Sequence, residues 1–364
     1  MSKSIVIIVI KNYLSTKQKN LQLIQVLRGV ACILVALMHI TVTFSETYHL
    51  SFLGNIFKFG GSGVDIFFVL SGFVITYSNR QYITNASTIG KFLKKRIIRI
   101  FPIYWIIVSS LLLLQLLLPS FYRTHFQLNP TNILSTYLLF PSHAMINGVS
   151  WSLTNELFFY ILFTLAILIP QKKYSLLLLL FYFIVLLLLP FTSITATNKN
   201  DFTGLLIFPM NIEFLLGIII VLLLNRFPQK WCVPFLITGI GAFVISAVCF
   251  NNNLFFLSNG LNRVVMFGFP SFLIILAVVK YELNNNIKVN KLFLQLGDAS
   301  YSIYLFHLPI IVAFFKVMQK MDVTNPFLIS FLAYCLFLAI CFFGIVIYKK
   351  IENPLIKWLN ENLG

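Results

Sequence analysis

The sequence is short of charged residues, and of acidic residues in particular. Asp, Glu, Lys and Arg make up 10% of its 364 residues, and only ten of them are acidic, whereas a soluble domain carries about 25% charged residues. A chain this poor in charge cannot cover the surface of several soluble domains. Because 59% of its residues are hydrophobic, the composition indicates an integral membrane protein.

Cysteine is scarce as well. The five cysteines are odd in number, lie mostly in apolar runs and lack the close pairs of a metal site. We therefore expect buried thiols and no bound metal. Internal repeats and a Pro-rich linker are also lacking in the sequence, so we expect a single module without an added soluble domain.

Apolar runs bounded by polar turns predict an all-α membrane protein, a single bundle of about ten transmembrane helices. The fifth run is short and follows the fourth after a Gln-Lys-Lys turn, as in a tight helical hairpin. The expected spans lie at about 21–44, 60–78, 97–119, 149–169, 174–190, 204–224, 232–250, 262–280, 299–316 and 326–348.

Residues 1–20 and 351–364 flank this domain of residues 21–350. The apolar run between Lys3 and Lys11 has six residues, which is short for the core of a signal peptide. We interpret residues 1–20 as a cytoplasmic or interfacial lead-in and residues 351–364 as a cytoplasmic tail.

The distribution of positive charge predicts the topology. If the N-terminus is cytoplasmic, twenty Lys and Arg residues fall on the inner side and six on the outer side. This bias follows the positive-inside rule and predicts both termini in the cytoplasm. It accounts for the net charge of +17 without a nucleic-acid partner.

The first predicted span carries two ionisable residues, Arg28 and His39. Their spacing of eleven residues corresponds to three turns plus about 20°, so both project from one helix face, about 16 Å apart along the axis. Ionisable residues at membrane depth are costly and mark functional sites. Arg28 either binds the anionic head of a long ligand or snorkels to the inner interface.

A carboxylate is predicted near His39. Counted from the outer end of the fourth span, Glu156 lies at a similar depth. A carboxylate beside an imidazole fixes its tautomer and raises its basicity, which produces a general base. The alternative is a polar pair that only ties two helices together.

Other polar positions allow functional and structural interpretations. The basic segment that contains Arg96 and Arg99 is either a phosphate site or a topology anchor. Asp65 follows a glycine-rich stretch and is assigned mainly a structural role, as a helix cap or a partner of a neighbour. Trp151 and His307 are candidates for substrate contact or for structure.

Six segments together resemble acyltransferase family 3, a family of integral-membrane acyltransferases. They occur in order and cover nearly the whole chain, and the first two are LRGVACILVALMH and GVDIFFVLSGFVI. The opening IQVLRGVA and the GVDIFF stretch most resemble the branch that modifies exopolysaccharides. The other four are KRIIRIFPIYW, WSLTNELFFY, SYSIYLFHLP and IENPLIKWL.

This resemblance implies a multi-pass enzyme of the bacterial inner membrane. It would transfer an acyl group, most often acetyl, from cytoplasmic acyl-CoA to a sugar hydroxyl of an exported or surface glycan. The family's pattern places catalysis on His39 and Glu156, with donor binding at Arg28, Arg96 and Arg99. His39 would act as a general base or carry the acyl group transiently.

Two features differ among members of the family. Many relatives have an acidic residue shortly before the first-helix arginine, where this chain has Gln25 and Val26, so no acid is expected to act there. Some relatives carry a soluble hydrolase-like domain, which this chain lacks, so the membrane module acts alone or with a separate partner protein. Acyl-CoA is expected as a co-substrate, and no cofactor is expected to be bound permanently.

A proton-coupled exporter of a lipid or a sugar is the alternative function. Such a protein would also have about ten spans with buried charges and a kinked helix. Inverted repeats would favour an exporter, and none is seen in the sequence. The sequence leaves open the acceptor sugar, the acyl group and the oligomeric state.

Overall fold

The computed structural model describes residues 21–79, 89–118, 126–141, 145–169, 172–189, 201–254 and 260–363. Within these ranges the regular secondary structure is helical and no strand occurs, so the prediction of an all-α protein is confirmed. The lead-in assigned to residues 1–20 lies outside the described residues.

Fifteen α-helices make up the described part of the chain, together with short 3₁₀ turns and two π-helical turns. One π turn, Val264–Gly268, joins α10 to α11, and the other, Tyr348–Glu352, joins α14 to α15. The helices are α1 Gln22–Tyr48, α2 Gly63–Asn79, α3 Ile89–Leu117, α4 Pro130–Tyr137, α5 Trp151–Leu168, α6 Lys172–Leu188, α7 Phe202–Leu206, α8 Asn211–Leu223, α9 Cys232–Asn251, α10 Gly260–Arg263, α11 Phe269–Asn284, α12 Lys291–Asp298, α13 Ser300–Lys320, α14 Pro326–Ile347 and α15 Asn353–Asn362.

Nine helical stretches of the described chain are long and apolar enough to cross a membrane. They correspond to nine of the ten predicted spans. The remaining one, predicted at 174–190, is α6, whose apolar part covers only Leu177–Leu188 and is shorter than the roughly 20 residues that a bilayer requires. The cytoplasmic position of both termini stays a prediction.

Helix α1 lies at the centre of the bundle and packs against α2, α11, α12, α13 and α14. Glycines let neighbouring helices approach closely. A Cβ atom at Gly63 would overlap the carbonyl oxygen of Ala31 on α1, and one at Gly72 would overlap the carbonyl oxygen of Phe214 on α8. Small residues at these positions thus allow the helix backbones to approach closely.

The segment before α5 enters the bundle. The Asn147 side chain donates a hydrogen bond of 3.1 Å to the carbonyl oxygen of Leu305, inside α13. Gly148 faces the side chain of Leu308 on the same helix. Helix α5 consequently begins beside the interior of α13, and its first residues are mostly buried.

The cysteines form no disulfides, and Cys32 and Cys232 are buried. The other three cysteines are partly exposed on the helix surfaces, so the expectation of buried thiols holds for only two of the five. No group of three or more His, Cys, Asp or Glu side chains is suitable for a metal among the described residues.

Candidate active site

A polar cavity lies between α1, α2, α3, α5 and α13. Its volume is about 150 Å³. Three arginines, Arg28, Arg96 and Arg99, line it together with the carboxylate of Glu156. The cavity therefore gathers four of the residues that the sequence singled out, from three different helices.

The arginines are held by neighbours that leave them able to bind an anion. Arg28 donates a hydrogen bond of 3.0 Å to the side-chain oxygen of Gln25, one turn earlier on α1. The guanidinium of Arg96 lies over the rings of Phe92 and Tyr160, 5.5 and 5.6 Å from their centroids. Stacking of this kind holds a guanidinium in place while its N–H groups stay available to an anion.

Glu156 is fixed by two hydroxyl groups. The hydroxyl of Ser71 on α2 donates to its Oε1 at 3.1 Å, and the hydroxyl of Tyr160, one turn further along α5, donates to the same oxygen. Arg28 lies within electrostatic range of this carboxylate and also of Arg99 and Glu352. The carboxylate thus offsets part of the positive charge of the cavity.

His39 pairs with His307 and not with Glu156. His307 Nε2 lies 3.2 Å from His39 Nδ1, and the two ring centroids are 5.0 Å apart. The described hydrogen bonds of Glu156 go to Ser71 and Tyr160 instead. The predicted pairing of His39 with Glu156 is corrected, because α5 begins inside the bundle and this lowers Glu156 to the level of the arginines.

Tyr304 lies between the cavity and the histidine pair. Its ring lines the cavity and lies 5.7 Å from the ring of His307. Its hydroxyl is 2.7 Å from Ser152 Oγ and donates to the carbonyl oxygen of Val149 at 3.2 Å. These bonds tie the ring to the start of α5.

Asp65 takes part in an ion pair away from the cavity. Arg263 donates hydrogen bonds to the Asp65 carboxylate from Nε, at 3.0 and 3.1 Å, and from Nη2, at 2.7 Å. Asp65 is fully buried, and the buried Glu213 lies close enough for its charge to interact with Asp65 and Arg263. This geometry agrees with the structural role expected for Asp65.

Trp151 packs among aromatic rings at the start of α5. Its ring lies edge-on to Phe68 and Phe208, with centroids 6.2 and 5.9 Å away. Phe68 also lines the cavity. Trp151 thus supports the cavity wall from behind and is not among the residues that line it.

Sequence reasoning missed several residues of the site. Tyr160 carried a usable signal, since it lies four residues after Glu156 and therefore on the same helix face. Arg263 carried none, because 198 residues separate it from Asp65. It was counted among the outer loop charges. Ser71, Tyr304 and Glu352 also gave no local signal.

Comparison with known proteins identifies the family. The family model described as an acyltransferase domain, acyltransferase family 3, matches residues 22–347. The chain belongs to this family. The matched range runs from the first residue of α1 to the last residue of α14, so it includes every helix that lines the cavity.

Two relatives of this family member come from Rhizobium species. The chain is 26% identical over 325 residues to the exopolysaccharide production protein ExoZ of Rhizobium meliloti (strain 1021), covering 84% of this chain and 92% of that protein. It is 32% identical over 121 residues to nodulation protein 10 of Rhizobium leguminosarum bv. viciae, covering 28% and 32% of the two chains. No solved structure matches the chain.

Proposed function

We propose that this protein transfers an acyl group, most simply acetyl, from acyl-CoA to a sugar hydroxyl of an exported or cell-surface glycan. Family membership supports acyl transfer. The name of the relative ExoZ, an exopolysaccharide production protein, supports a glycan acceptor. The observation that carries the proposal is the cavity, in which three arginines from two helices converge, with the histidine pair on the other side of the Tyr304 ring.

The three arginines of the cavity are suited to binding the acyl donor, acyl-CoA. Coenzyme A carries phosphates at one end and a thioester at the end of a flexible arm. Arg28, Arg96 and Arg99 bind those phosphates, since guanidinium groups match phosphate oxygens in geometry and in charge. Acyl-CoA is a co-substrate that leaves after each turnover. Glu156 limits the positive charge and keeps Ser71 and Tyr160 in place, which makes it a positioning residue.

His39 acts on the acceptor. As the sugar oxygen attacks the thioester carbonyl, His39 removes the hydroxyl proton. The carbon–sulfur bond breaks, the new ester bond forms, and the proton is returned to the departing thiolate. The products are the acylated sugar and the free thiol of coenzyme A. His39 is partly exposed, whereas its partner His307 is fully buried, so His39 is the histidine of the pair that the proposal assigns to the substrate.

The protein acts as a multi-pass enzyme of the bacterial cytoplasmic membrane. The donor reaches the arginines from the cytoplasm, and the glycan or a lipid-linked sugar reaches His39 from the outer side. This arrangement agrees with the predicted topology, in which Arg28 lies in the inner half of α1 and His39 in the outer half.

Mass spectrometry of surface glycans tests the proposal. Cells carrying the intact gene, a deletion, His39→Ala and His49→Asn would be compared. His49 is a suitable control because it is exposed at the end of the same helix with a positive φ of 55°, which asparagine tolerates. We expect one acyl mass to be lost in the deletion and in His39→Ala and kept in His49→Asn.

The same experiment separates transfer from export. Normal acylation in His39→Ala, with the protein present in the membrane, would refute the role of His39. Unchanged acylation in the deletion, combined with glycan or lipid retained inside the cell, would refute the transferase and favour the exporter.

A further inference from the structure

We infer that His307 is a positioning residue that fixes the tautomer of His39 and leaves Nε2 of His39 as its basic nitrogen. This inference rests on the proposed function, since it assumes that His39 is the base. It assigns to a second histidine the task that a carboxylate performs in the triad of serine proteases, which is to hold the imidazole in one tautomer and one orientation.

The first step concerns Nδ1 of His39. This nitrogen lies 3.0 Å from the carbonyl oxygen of Val35, one turn earlier on α1. A carbonyl oxygen only accepts hydrogen bonds. Nδ1 of His39 therefore carries a proton, and a neutral imidazole has one such proton, so its Nε2 keeps a lone pair.

The second step concerns His307 on α13. Its Nδ1 lies 3.2 Å from the carbonyl oxygen of Ile303, so the same reasoning places its proton on Nδ1. Its Nε2 then has the lone pair and faces His39 Nδ1 at 3.2 Å. A proton on His307 Nε2 would put two N–H groups against each other. One assignment therefore satisfies all three contacts, with the His39 proton shared between Val35 and His307.

The third step concerns rigidity. His307 is fully buried, and its ring contacts that of Tyr304, whose hydroxyl is bonded to the start of α5. The Asn147 side chain donates a hydrogen bond to the carbonyl oxygen of Leu305, two residues before His307 on α13. A ring packed on these sides cannot rotate freely, so its lone pair stays directed at His39.

Nε2 of His39 makes no hydrogen bond to any described part of the chain. It is thus the ring nitrogen left for the proton of a sugar hydroxyl. Without His307, the Nδ1 proton would keep a single acceptor, Val35, and the competing tautomer with a proton on Nε2 would become more populated. That tautomer cannot accept the hydroxyl proton at Nε2.

Nitrogen-15 NMR of the full-length protein in lipid bilayers measures the tautomer directly. All histidines would be labelled, and the His39 signals would be assigned by their loss in His39→Ala. We expect the His39 ring of the unmodified protein to be protonated at Nδ1 and bare at Nε2. A proton on Nε2 would overturn the inference, and this measurement needs no variant at His307.

Two variants test the effect on turnover, with acetyl-CoA as donor and glycan isolated from the deletion strain as acceptor. His307→Leu removes the acceptor, and His307→Gln supplies an amide oxygen in its place. We expect kcat of His307→Leu to fall on the order of tenfold to a hundredfold, with KM for acetyl-CoA unchanged and with partial rescue in His307→Gln. Size-exclusion chromatography would confirm that both variants are folded.

The outcomes distinguish this inference from the proposed function. Unchanged kcat and an unchanged His39 tautomer in folded His307→Leu would overturn the inference, while loss of activity in His39→Ala would still support His39 as the base. Activity retained in His39→Ala would refute the proposed base, whatever the tautomer. A fall in kcat with a higher KM for acetyl-CoA and no change of tautomer would indicate damaged packing and would also overturn the inference.

Discussion

The guanidinium of Arg96 lies over the ring of Tyr160, 5.6 Å from its centroid, while the hydroxyl of the same tyrosine donates to Glu156. One aromatic side chain therefore holds both a cation and an anion of the cavity. Its face attracts the guanidinium, and its edge supplies a hydrogen bond to the carboxylate. The two charges depend on Tyr160 through different atoms, so they can be tested separately.

Removal of the Tyr160 hydroxyl should loosen the position of Glu156 and leave that of Arg96 unchanged. Tyr160→Phe keeps the ring under Arg96 and removes the bond to Glu156. A hydrogen bond to a charged group contributes about 1.5–3 kcal/mol, so we expect kcat/KM to fall about tenfold or more. Tyr182→Phe is the control, because its hydroxyl bonds the carbonyl oxygen of Leu206, away from the cavity. Equal rates in the two variants would contradict the role given to Glu156.

Donor affinity should depend on Arg99. Arg99→Ala removes one guanidinium from the cavity wall, and we expect KM for acetyl-CoA to rise roughly tenfold to a hundredfold, as for the loss of charge-assisted bonds. Lys95→Ala is the matched control, because Lys95 is exposed on the same helix and is not among the residues that line the cavity. Steady-state kinetics over a range of acetyl-CoA concentrations would measure both. A similar rise in KM for the two variants would indicate a general effect of surface charge.

The ion pair of Asp65 should matter for stability. Asp65→Asn leaves Arg263 without its charged partner. Because the Arg263 side chain is 29% exposed, we expect a cost below the roughly 3–5 kcal/mol of a fully buried pair. Glu213→Gln keeps the pair intact, so we expect a smaller loss. Thermal unfolding in detergent would compare the two variants with the unmodified protein. The assignment would be wrong if Glu213→Gln lowered the unfolding temperature more than Asp65→Asn.

The close contact between α2 and α8 at Gly72 should leave no room for a side chain. A Cβ atom there would overlap the Phe214 carbonyl, so Gly72→Ala forces α2 and α8 apart, at a cost of about 1–3 kcal/mol for overpacking. Gly241→Ala, in α9, is the control because nothing lies within 4 Å of its added Cβ. Unfolding temperature is again the measurement. Helix propensity alone would make Gly241→Ala neutral or slightly stabilising, since alanine is the better helix former. A destabilisation of equal size at Gly241 would contradict the assignment of the Gly72 effect to close approach.

The fold was largely predictable because the length of an apolar run in the sequence indicates whether it forms a membrane-spanning helix. Nine of the ten predicted spans correspond to helical stretches of the described chain that are long and apolar enough to cross a membrane. The tenth corresponds to α6, whose apolar part, Leu177–Leu188, is shorter. The third span was placed from 97, whereas α3 begins at Ile89. The basic residues before position 97 fall outside that predicted span, yet they belong to the first turns of the helix.

Part of the candidate site was predictable and part was not. Arg28 and Glu156 were identified because ionisable residues are unusual in apolar helices, and Arg96 and Arg99 because the family resemblance points to their basic segment. The cavity gathers all four. The partner of His39 was not identified, because depth was counted from the helix end as though it lay at the membrane surface. The bond from Asn147 to Leu305 shows that α5 begins deeper, and no local pattern encodes that displacement.

Tyr304 has a consequence for permeability. An enzyme that passes a small group from one side of a bilayer to the other must avoid becoming a conduit for protons and ions. Here the polar cavity ends against an aromatic ring whose hydroxyl is already bonded to α5, and the histidine pair lies beyond that ring. Under the proposed function, a ring in this position separates the arginines from His39, which favours exchange of an acyl group over a continuous file of water between the two sides of the membrane.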